Sequence, residues 1–280
     1  MEIFKLPFFQ KAIISGVLVG LTCGIVGAWV FLMKISFIGV AISHSAFSGA
    51  LLALLLNKPV IPFTFLFSFL ASCLLGPLSD KGEISPDTSI GILFSLTLGI
   101  SFLLLGILPG AKTQALNLLW GSMLILEKVD LILLFITAIL TVFITVVFFK
   151  EIQAVIFSRE LAKSSGIPST LFFYLILFLT GMVVSSNLKS VGGLLVFSLI
   201  INPSASAYQI TYDIKRMYVL SALFGILSCW AGLFFSAFFD TPVGATIILF
   251  SGFLFFFCVI FSPKRKRKWR REENFSIKSH

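Results

Sequence analysis

His44 is the residue of this sequence with the clearest chemical potential, because it is an ionisable group inside a long apolar segment. At helical spacing Val40, His44 and Ser48 share one face, and Ser43 shares a face with Val40. A neutral imidazole is a good ligand for zinc and other transition metals, so this face could hold a metal ion. The alternative is a histidine that hydrogen-bonds to the neighbouring serines in helix packing, and the sequence leaves both open.

Motifs for catalysis are missing from the sequence. It has no HExxH, no GxSxG, no Walker lysine loop and, inside the apolar segments, no two carboxylates one helical turn apart. A hydrolase or transferase would need a nucleophile or an acid–base pair, and His44 has no acidic neighbour in sequence. We therefore expect a channel or transporter subunit rather than an enzyme, with no resident cofactor. Any ATP-driven action must use a partner protein.

A glycine pair and a proline interrupt one apolar segment. Gly192-Gly193 opens the segment, and Asn202-Pro203 lies near its far end. Proline removes a backbone donor and clashes with the preceding turn, so we expect the helix to break there. In lipid the freed carbonyls need polar partners, so such a break faces protein or a water-filled cavity. Asn202 and Pro203 are therefore candidates for lining a pathway, and the alternative is a kink that serves only packing.

The composition indicates which elements must position these residues. Of the 280 residues, 58% are hydrophobic and 12% are charged, and the mean hydropathy is +1.07. A soluble globular protein carries about 25% charged residues. The values exclude an ordinary soluble enzyme, a disordered chain and a disulfide-stapled secreted domain. They predict an all-α, polytopic integral membrane helix bundle in a lipid bilayer.

Nine segments are long and apolar enough to be considered as spans, which need about 20 mostly apolar residues. They are Ala12–Met33, Phe37–Leu56, Val60–Leu78, Ser89–Leu108, Leu131–Phe149, Ser169–Ser186, Val191–Ala207, Tyr218–Phe238 and Val243–Phe261. Ala115–Leu126 is apolar but short, which favours a re-entrant or interfacial piece. Because some of the nine need not cross completely, we expect about eight or nine transmembrane segments.

The basic C-terminal tail sets the expected orientation. Ser262–His280 holds eight basic and two acidic residues directly after an apolar segment. The positive-inside rule makes this a cytoplasmic stop signal, which we favour over nucleic-acid binding. The chain then divides into a transmembrane domain, residues 1–262, and a basic cytoplasmic tail, residues 263–280. Four segments precede the tail back to residue 169, so Lys150–Pro168 is also expected to be cytoplasmic. The side of the N-terminus stays open.

Several stretches, in a fixed order, resemble the permease subunits of the bacterial zinc, manganese and iron ABC importers, the ABC-3 family. FIGVAISHSAFSG at Phe37–Gly49 is similar to the family helix G-D-x-x-x-H-A-x-x-x-G, and FSRELAKSSGIP at Phe157–Pro168 is similar to F-D-x-E-x-A-x-x-x-G. The remaining matches are DTSIGILFS at Asp87–Ser95, LWGSML at Leu119–Leu124, SVGGLLVFSLIINPSASAY at Ser190–Tyr208 and DTPVGATIILFSG at Asp240–Gly252. Together they extend over residues 37 to 252.

The resemblance implies an all-helical permease that acts as a homodimer in the bacterial plasma membrane. Two ATP-binding cassette ATPase subunits would drive it, and an extracytoplasmic metal-binding protein would deliver a divalent metal ion as substrate. Phe157–Pro168 would include or adjoin the coupling helix that docks on the ATPase. The residues expected to take part are Phe157, Arg159, Glu160, Lys163 and Gly166. The alternative for this stretch is an ordinary solvated cytoplasmic loop.

One position departs from the family pattern. The family has an aspartate four residues before the histidine, and both residues line the ion path, but this chain has Val40 there. The resemblance implies zinc, iron or manganese as the cargo, with His44 as the metal ligand. Because manganese prefers carboxylate oxygen and valine supplies none, the departure favours zinc or iron(II) over manganese. Two other hypotheses stay open: an ABC permease for another cargo such as a metal chelate, and a membrane scaffold that transports nothing.

Overall fold

The computed structural model describes residues 7–81, 85–108, 110, 112–121, 123–193 and 195–264. Every regular element in these ranges is helical, which confirms the all-α prediction. A short 3-10 turn at Met123–Ile125 follows the fifth helix. The helices are α1 Pro7–Leu32, α2 Ile38–Leu55, α3 Val60–Lys81, α4 Pro86–Ile107, α5 Lys112–Trp120, α6 Lys128–Val147, α7 Phe149–Phe157, α8 Arg159–Ser164, α9 Ser169–Val191, α10 Val196–Ile210, α11 Ile214–Phe239 and α12 Val243–Ile260.

Eight of the described helices are long and apolar enough to cross a membrane, namely α1, α2, α3, α4, α6, α9, α11 and α12. Each coincides with a segment expected from the sequence, although α9 continues to Val191, five residues beyond its expected end at Ser186. The short α5 lies in the segment expected to be re-entrant or interfacial. The eight apolar helices confirm the predicted polytopic membrane bundle.

The expected span Val191–Ala207 differs from the helix that forms there. Residues 191–207 were expected to cross, but α9 ends at Val191 and α10 begins only at Val196. Gly192 separates them, because its φ of 102° is a left-handed conformation that ends a helix and suits glycine. With 15 residues α10 is about 22 Å long, shorter than the roughly 30 Å hydrocarbon core of a bilayer.

The expected break at Asn202-Pro203 is wrong, since α10 runs through Pro203 to Ile210 without interruption. Serine side chains hydrogen-bond within the helix around the proline. The Ser204 hydroxyl donates to the Ile200 carbonyl at 3.0 Å, and the Ser206 hydroxyl donates to the Asn202 carbonyl at 2.7 Å. Both hydroxyls bond to the carbonyl four residues earlier in α10, and the carbonyl that loses its main-chain donor to the proline is that of Leu199.

The order of contacts along α1, α11 and α12 fixes the ends of the bundle. Phe9 meets Phe234 and the segment at Gly24 meets Ala222, so α1 runs antiparallel to α11. Gly232 faces Ile247, so α11 runs antiparallel to α12. The start of α1 and the end of α12 therefore lie at opposite ends of the bundle. This arrangement requires an odd number of passages. Among the described helices the eight long ones and α10 provide nine, because α10, although short, runs from Leu195 beside the start of α12 to Gln209 beside its end.

The two ends carry different elements. The end of α12 lies beside the end of α10, because the Ser262 hydroxyl donates to the Gln209 carbonyl at 2.9 Å. The start of α11 and helix α7 are also there, where Phe149 packs against Tyr218 with ring centroids 5.9 Å apart. We call this the tail end. At the opposite end Lys189, in the last turn of α9, lies with its Nζ 2.7 Å from the Asp130 carboxylate at the start of α6.

Candidate functional site

Helix α2 carries the expected metal ligand and lies between α3, α4 and α9. It has no charged residue in its first or last turn, and most of its side chains are buried. Side-chain hydrogen bonds fix it on two sides. The Ser45 hydroxyl donates to the Phe67 carbonyl of α3 at 2.8 Å, and the Ser48 hydroxyl lies 2.8 Å from the Thr97 carbonyl of α4. The small residues of α2 thus let neighbouring helices hold it in one position.

The imidazole of His44 is buried and incompletely satisfied. The residue is 8% exposed, and its ring meets Phe94 of α4 edge-on with centroids 5.0 Å apart. Among the described residues its Nδ1 has no hydrogen-bond partner. An unsatisfied buried polar group costs about 1–3 kcal/mol, so the packing around His44 leaves this nitrogen without the partner that would offset that cost.

The neighbouring serines do not hold the imidazole. Ser43 donates to the Gly39 carbonyl, Ser45 to the Phe67 carbonyl, and Ser48 reaches main-chain carbonyls and another hydroxyl. Within the described part of the chain, no hydrogen bond joins any of them to the ring. The alternative of a histidine packed by serine hydrogen bonds is therefore not the arrangement found.

The surroundings of His44 along α2 are polar on one side only. Val40, one turn before it, is half-buried and presents no oxygen. Ser48, one turn after it, is buried, and its hydroxyl lies 2.8 Å from the Ser101 hydroxyl. Thr97 and Ser101 of α4 were not among the expected site residues. Their spacing of four on an apolar helix was the available signal, but the sequence did not say which helix they would meet.

The described residues contain no group of three or more His, Cys, Asp or Glu side chains that could hold a metal ion. His44 is thus a single good ligand in one chain. A metal ion there would need further ligands from water, from main-chain oxygens or from another chain.

Asn202 and Pro203 lie elsewhere in the bundle. The Asn202 side-chain amide donates to the Ser251 hydroxyl of α12 at 2.9 Å, and Pro203 is buried. Helix α10 reaches α2 near Gly39, through Phe197 and Ile200 rather than through Asn202. The structure brings Ser43 and Ser48 together with His44, but it places Asn202 in a helix–helix contact, as in the packing alternative.

The expected coupling stretch forms α8 and its two caps. The Ser158 hydroxyl accepts a hydrogen bond from the Leu161 amide at the start of the helix. At the end, the Gly166 amide donates to the Lys163 carbonyl and the Ile167 amide to the Ala162 carbonyl, which is a Schellman motif. The φ of Gly166 is 82°, so glycine suits the position.

The side chains of this stretch divide into two groups. Arg159 points inward, with its guanidinium carbon 4.1 Å from the centre of the Phe173 ring of α9. Phe157 is 83% exposed and Leu161 56% exposed, and both Glu160 and Lys163 are exposed beside them. Lys163 also borders a groove of about 580 Å³ that follows the start of α9. Leu161 was not among the expected residues, although it lies only four positions after Phe157 in the sequence.

Only the first residues of the expected tail are described. The ammonium group of Lys264 lies 3.4 Å from the centre of the Tyr208 ring and 4.9 Å from that of Tyr212. Partial burial against α10 lowers the pKa of Lys264. The remaining basic residues, 265–280, lie outside the described part of the chain.

Known membrane transport proteins are similar to this chain over almost its whole length. Manganese transport system membrane proteins MntC are 31% identical in Listeria innocua, covering 92% of each chain, and 28% identical in Halalkalibacterium halodurans, covering 96% of this chain and 93% of the relative. The high-affinity zinc uptake system membrane protein ZnuB of Haemophilus influenzae is 29% identical over 87% of this chain and 94% of its own.

Solved structures agree with this likeness. A chain of PsaBC from Streptococcus pneumoniae in complex with Fab superposes with a TM-score of 0.84, at 29% identity and 94% coverage of both chains. A putative metal-chelate type ABC transporter in an inward-facing conformation shares the fold, with a TM-score of 0.70 at 19% identity, over 90% of this chain and 85% of that one. The family model described as the ABC 3 transport family matches residues 5–262, and this chain belongs to that family.

Proposed function

We propose that this chain is the permease subunit of an ATP-binding cassette importer for a divalent metal ion. It is a transport protein rather than an enzyme, as its family is. The relatives named above include manganese and zinc transport proteins, which supports a metal ion as the cargo. The observation that carries the proposal is His44, a buried imidazole whose Nδ1 has no partner within the described residues.

The metal is proposed to be zinc or iron(II) in preference to manganese. His44 offers nitrogen, whereas Val40 one turn earlier offers no carboxylate oxygen. Imidazole suits zinc and iron, while carboxylate and carbonyl oxygens suit manganese. The likeness to manganese transport proteins supports a metal-transport path in this chain. The absence of a carboxylate at Val40 supports a metal preference different from theirs.

A second copy of the chain is proposed to complete the path. One chain supplies a single strong ligand, and a symmetric homodimer brings a second His44 to the same axis. Two imidazoles facing each other would stand in for the aspartate and histidine of relatives that keep both.

The orientation follows from the placement of charge. The tail end holds α7, α8 and the start of the basic tail, so it is proposed to face the cytoplasm of a bacterial cell, where ATPase subunits bind. The opposite end would then receive the metal-binding protein outside the plasma membrane. On this assignment the N-terminus of α1 is extracytoplasmic.

A complementation experiment tests the function. The chain is expressed, together with a candidate ATPase and a candidate metal-binding protein from the same organism, in a bacterium that lacks its own zinc, iron and manganese importers. Restored growth on scarce zinc or iron, together with co-purification of the ATPase, is the expected result. Growth restored only by a chelated metal would favour the chelate permease. A chain that neither restores growth nor retains an ATPase would be a scaffold.

A further inference from the structure

Tyr218 forms a buried junction between α7 and α11 at the tail end. The Gln153 side-chain amide donates to the Tyr218 hydroxyl at 2.6 Å, and the residue is 7% exposed. Phe149 packs edge-on against the same ring, and the Lys215 ammonium group lies 5.8 Å from the Phe149 ring centre. Helix α7 is thereby fixed to the start of α11, directly before the exposed helix α8.

Helix α8 has its own attachment to a different helix. The Arg159 guanidinium stacks over Phe173 of α9, and the Schellman motif after α8 leads straight into that helix. The pair α7–α8 therefore contacts both long helices. Gln153 bonds to Tyr218 of α11, while Arg159 stacks on Phe173 and Phe148, directly before α7, packs on Phe172 of α9.

Helices α11 and α9, to which this pair is attached, belong to different packed groups. In the first group α1 lies so close to α11 that a methyl added to Gly20 would overlap the main chain of Gly225, and Ser204 of α10 lies 2.7 Å from Ser221 of α11. The Thr246 hydroxyl joins α12 to α11 by donating to the Gly232 carbonyl. Helices α1, α10, α11 and α12 form this first helix group.

The second helix group consists of α2, α3, α4 and α9. Ser68 of α3 is hydrogen-bonded to Ser185 of α9 at 2.6 Å, and Ser45 and Ser48 join α2 to α3 and α4. His44 therefore belongs to the second group. Between the groups, the side-chain hydrogen bond described is a long one, 3.5 Å from Asn187 to Thr22.

We infer that the Gln153–Tyr218 hydrogen bond is the positioning contact that carries movement of the coupling stretch into the first helix group, while Arg159–Phe173 carries it into the second. The inference rests on the proposed function, in which α8 docks on an ATPase. The ion path changes only if the two groups move relative to each other. Without the Gln153–Tyr218 hydrogen bond, α8 still docks and ATP is still hydrolysed, but the first group follows the coupling stretch less completely.

The experiment measures ATP hydrolysis and zinc uptake in the same vesicles, which contain the permease with its co-purified ATPase. The variants are Tyr218→Phe, Gln153→Leu and the double variant, and Tyr212→Phe is the control because it removes a tyrosine hydroxyl at the same end. Zinc transported per ATP should fall about fivefold in each single variant, the factor expected for one hydrogen bond. Because the two residues act as a pair, the double variant should be no worse than the singles.

An unchanged ratio in the Tyr218 and Gln153 variants would overturn the inference. So would a proportional loss of both activities with a lowered melting temperature, because that pattern means that the contact only stabilises the fold. Zinc-independent hydrolysis without any uptake by the wild-type complex would instead contradict the proposed function itself, and the inference with it.

Discussion

At the scale of single residues, His44 stands out for the contrast between its burial and its lack of partners. The nearby serines donate to main-chain carbonyls, so they satisfy the backbone of α2 and α3 and leave the ring nitrogen unused. A histidine kept only for packing would be expected to pair that nitrogen, because the unpaired group costs stability.

Val40 provides a test of metal preference at the same scale. A Val40→Asp change places a carboxylate one turn from His44 on the same helix face. Uptake of manganese relative to zinc should increase, since added oxygen ligation favours the harder ion. The measurement is competition between the two metals in vesicles, with Val40→Leu as the apolar control. A ratio that is the same in the aspartate and leucine variants would show that position 40 does not touch the ion.

Part of this site was predictable from residue types and helical spacing. The sequence places His44 on a helix and on one face with Val40 and Ser48, and the structure has that arrangement. The hydroxyls of Thr97 and Ser101 were not predictable as neighbours, because periodicity shows which face of α4 is polar but not which helix that face meets. The same limit explains Asn202, whose partner Ser251 lies 49 residues away.

At the scale of elements, helix α8 makes the proposed contact with the ATPase through exposed side chains. A Glu160→Lys change reverses a charge on its exposed face without disturbing Arg159 or the caps. We expect co-purification of the ATPase to be weakened while the amount of permease in the membrane is unchanged. Lys58→Glu, an exposed charge reversal in the connection between α2 and α3 at the opposite end, is the control. Equal recovery of ATPase with both variants would place the docking surface elsewhere.

Gly166 has a conformational role that can be separated from direct contact. Its positive φ tolerates asparagine better than a β-branched residue. Transport should therefore survive in Gly166→Asn and be strongly reduced in Gly166→Val, because valine costs about 1 kcal/mol or more in this conformation and loosens the turn between α8 and α9. Zinc uptake and ATPase co-purification are measured for both. Equal loss in the two variants would mean that any side chain at this position obstructs the ATPase.

Sequence reasoning located the long helices well, but it placed the start of α10 too early and expected a break that does not form. Apolar runs of about 20 residues mark a span whatever their surroundings, which is why eight helices agree. The segment after Gly192 is apolar too, yet it forms a short helix because its first residues form the turn that follows α9. The proline at position 203 misled because a membrane helix tolerates proline where it is packed among other helices, and the sequence alone does not show that packing.

At the scale of the whole molecule, the bundle has an odd number of passages and two chemically different ends. Lys163 and Lys58 are exposed at the tail end and the opposite end respectively. In a background with Cys73 replaced by serine, a cysteine at position 58 should react with an impermeant thiol reagent added to intact cells, and one at position 163 should not. This labelling is expected because the basic tail keeps the tail end of the bundle in the cytoplasm. The reverse labelling pattern would invert the orientation.

The sequence predicted the bundle but not the side of its N-terminus. Counting apolar segments leaves eight and nine passages equally acceptable, and they differ in where the chain begins. Contacts between distant segments, such as Phe9 with Phe234, show that α1 begins at the end of the bundle opposite the tail, and the side of the membrane at which that end lies is part of the proposal. Such contacts depend on how complementary surfaces pack, and the composition of a helix does not encode them.

Uptake of metal by the His44→Ala variant is the measurement that tests metal passage along α2 most directly. Zinc, iron(II) and manganese uptake are compared in vesicles that contain the wild-type complex, His44→Ala or the neighbouring control Ser45→Ala, whose hydroxyl faces α3. The account predicts a loss of about tenfold or more in zinc and iron(II) uptake for His44→Ala, a factor that even indirect metal-site contacts can reach, and near wild-type uptake for the control. Full uptake of every metal by His44→Ala would contradict it and show that His44 is only a packing residue.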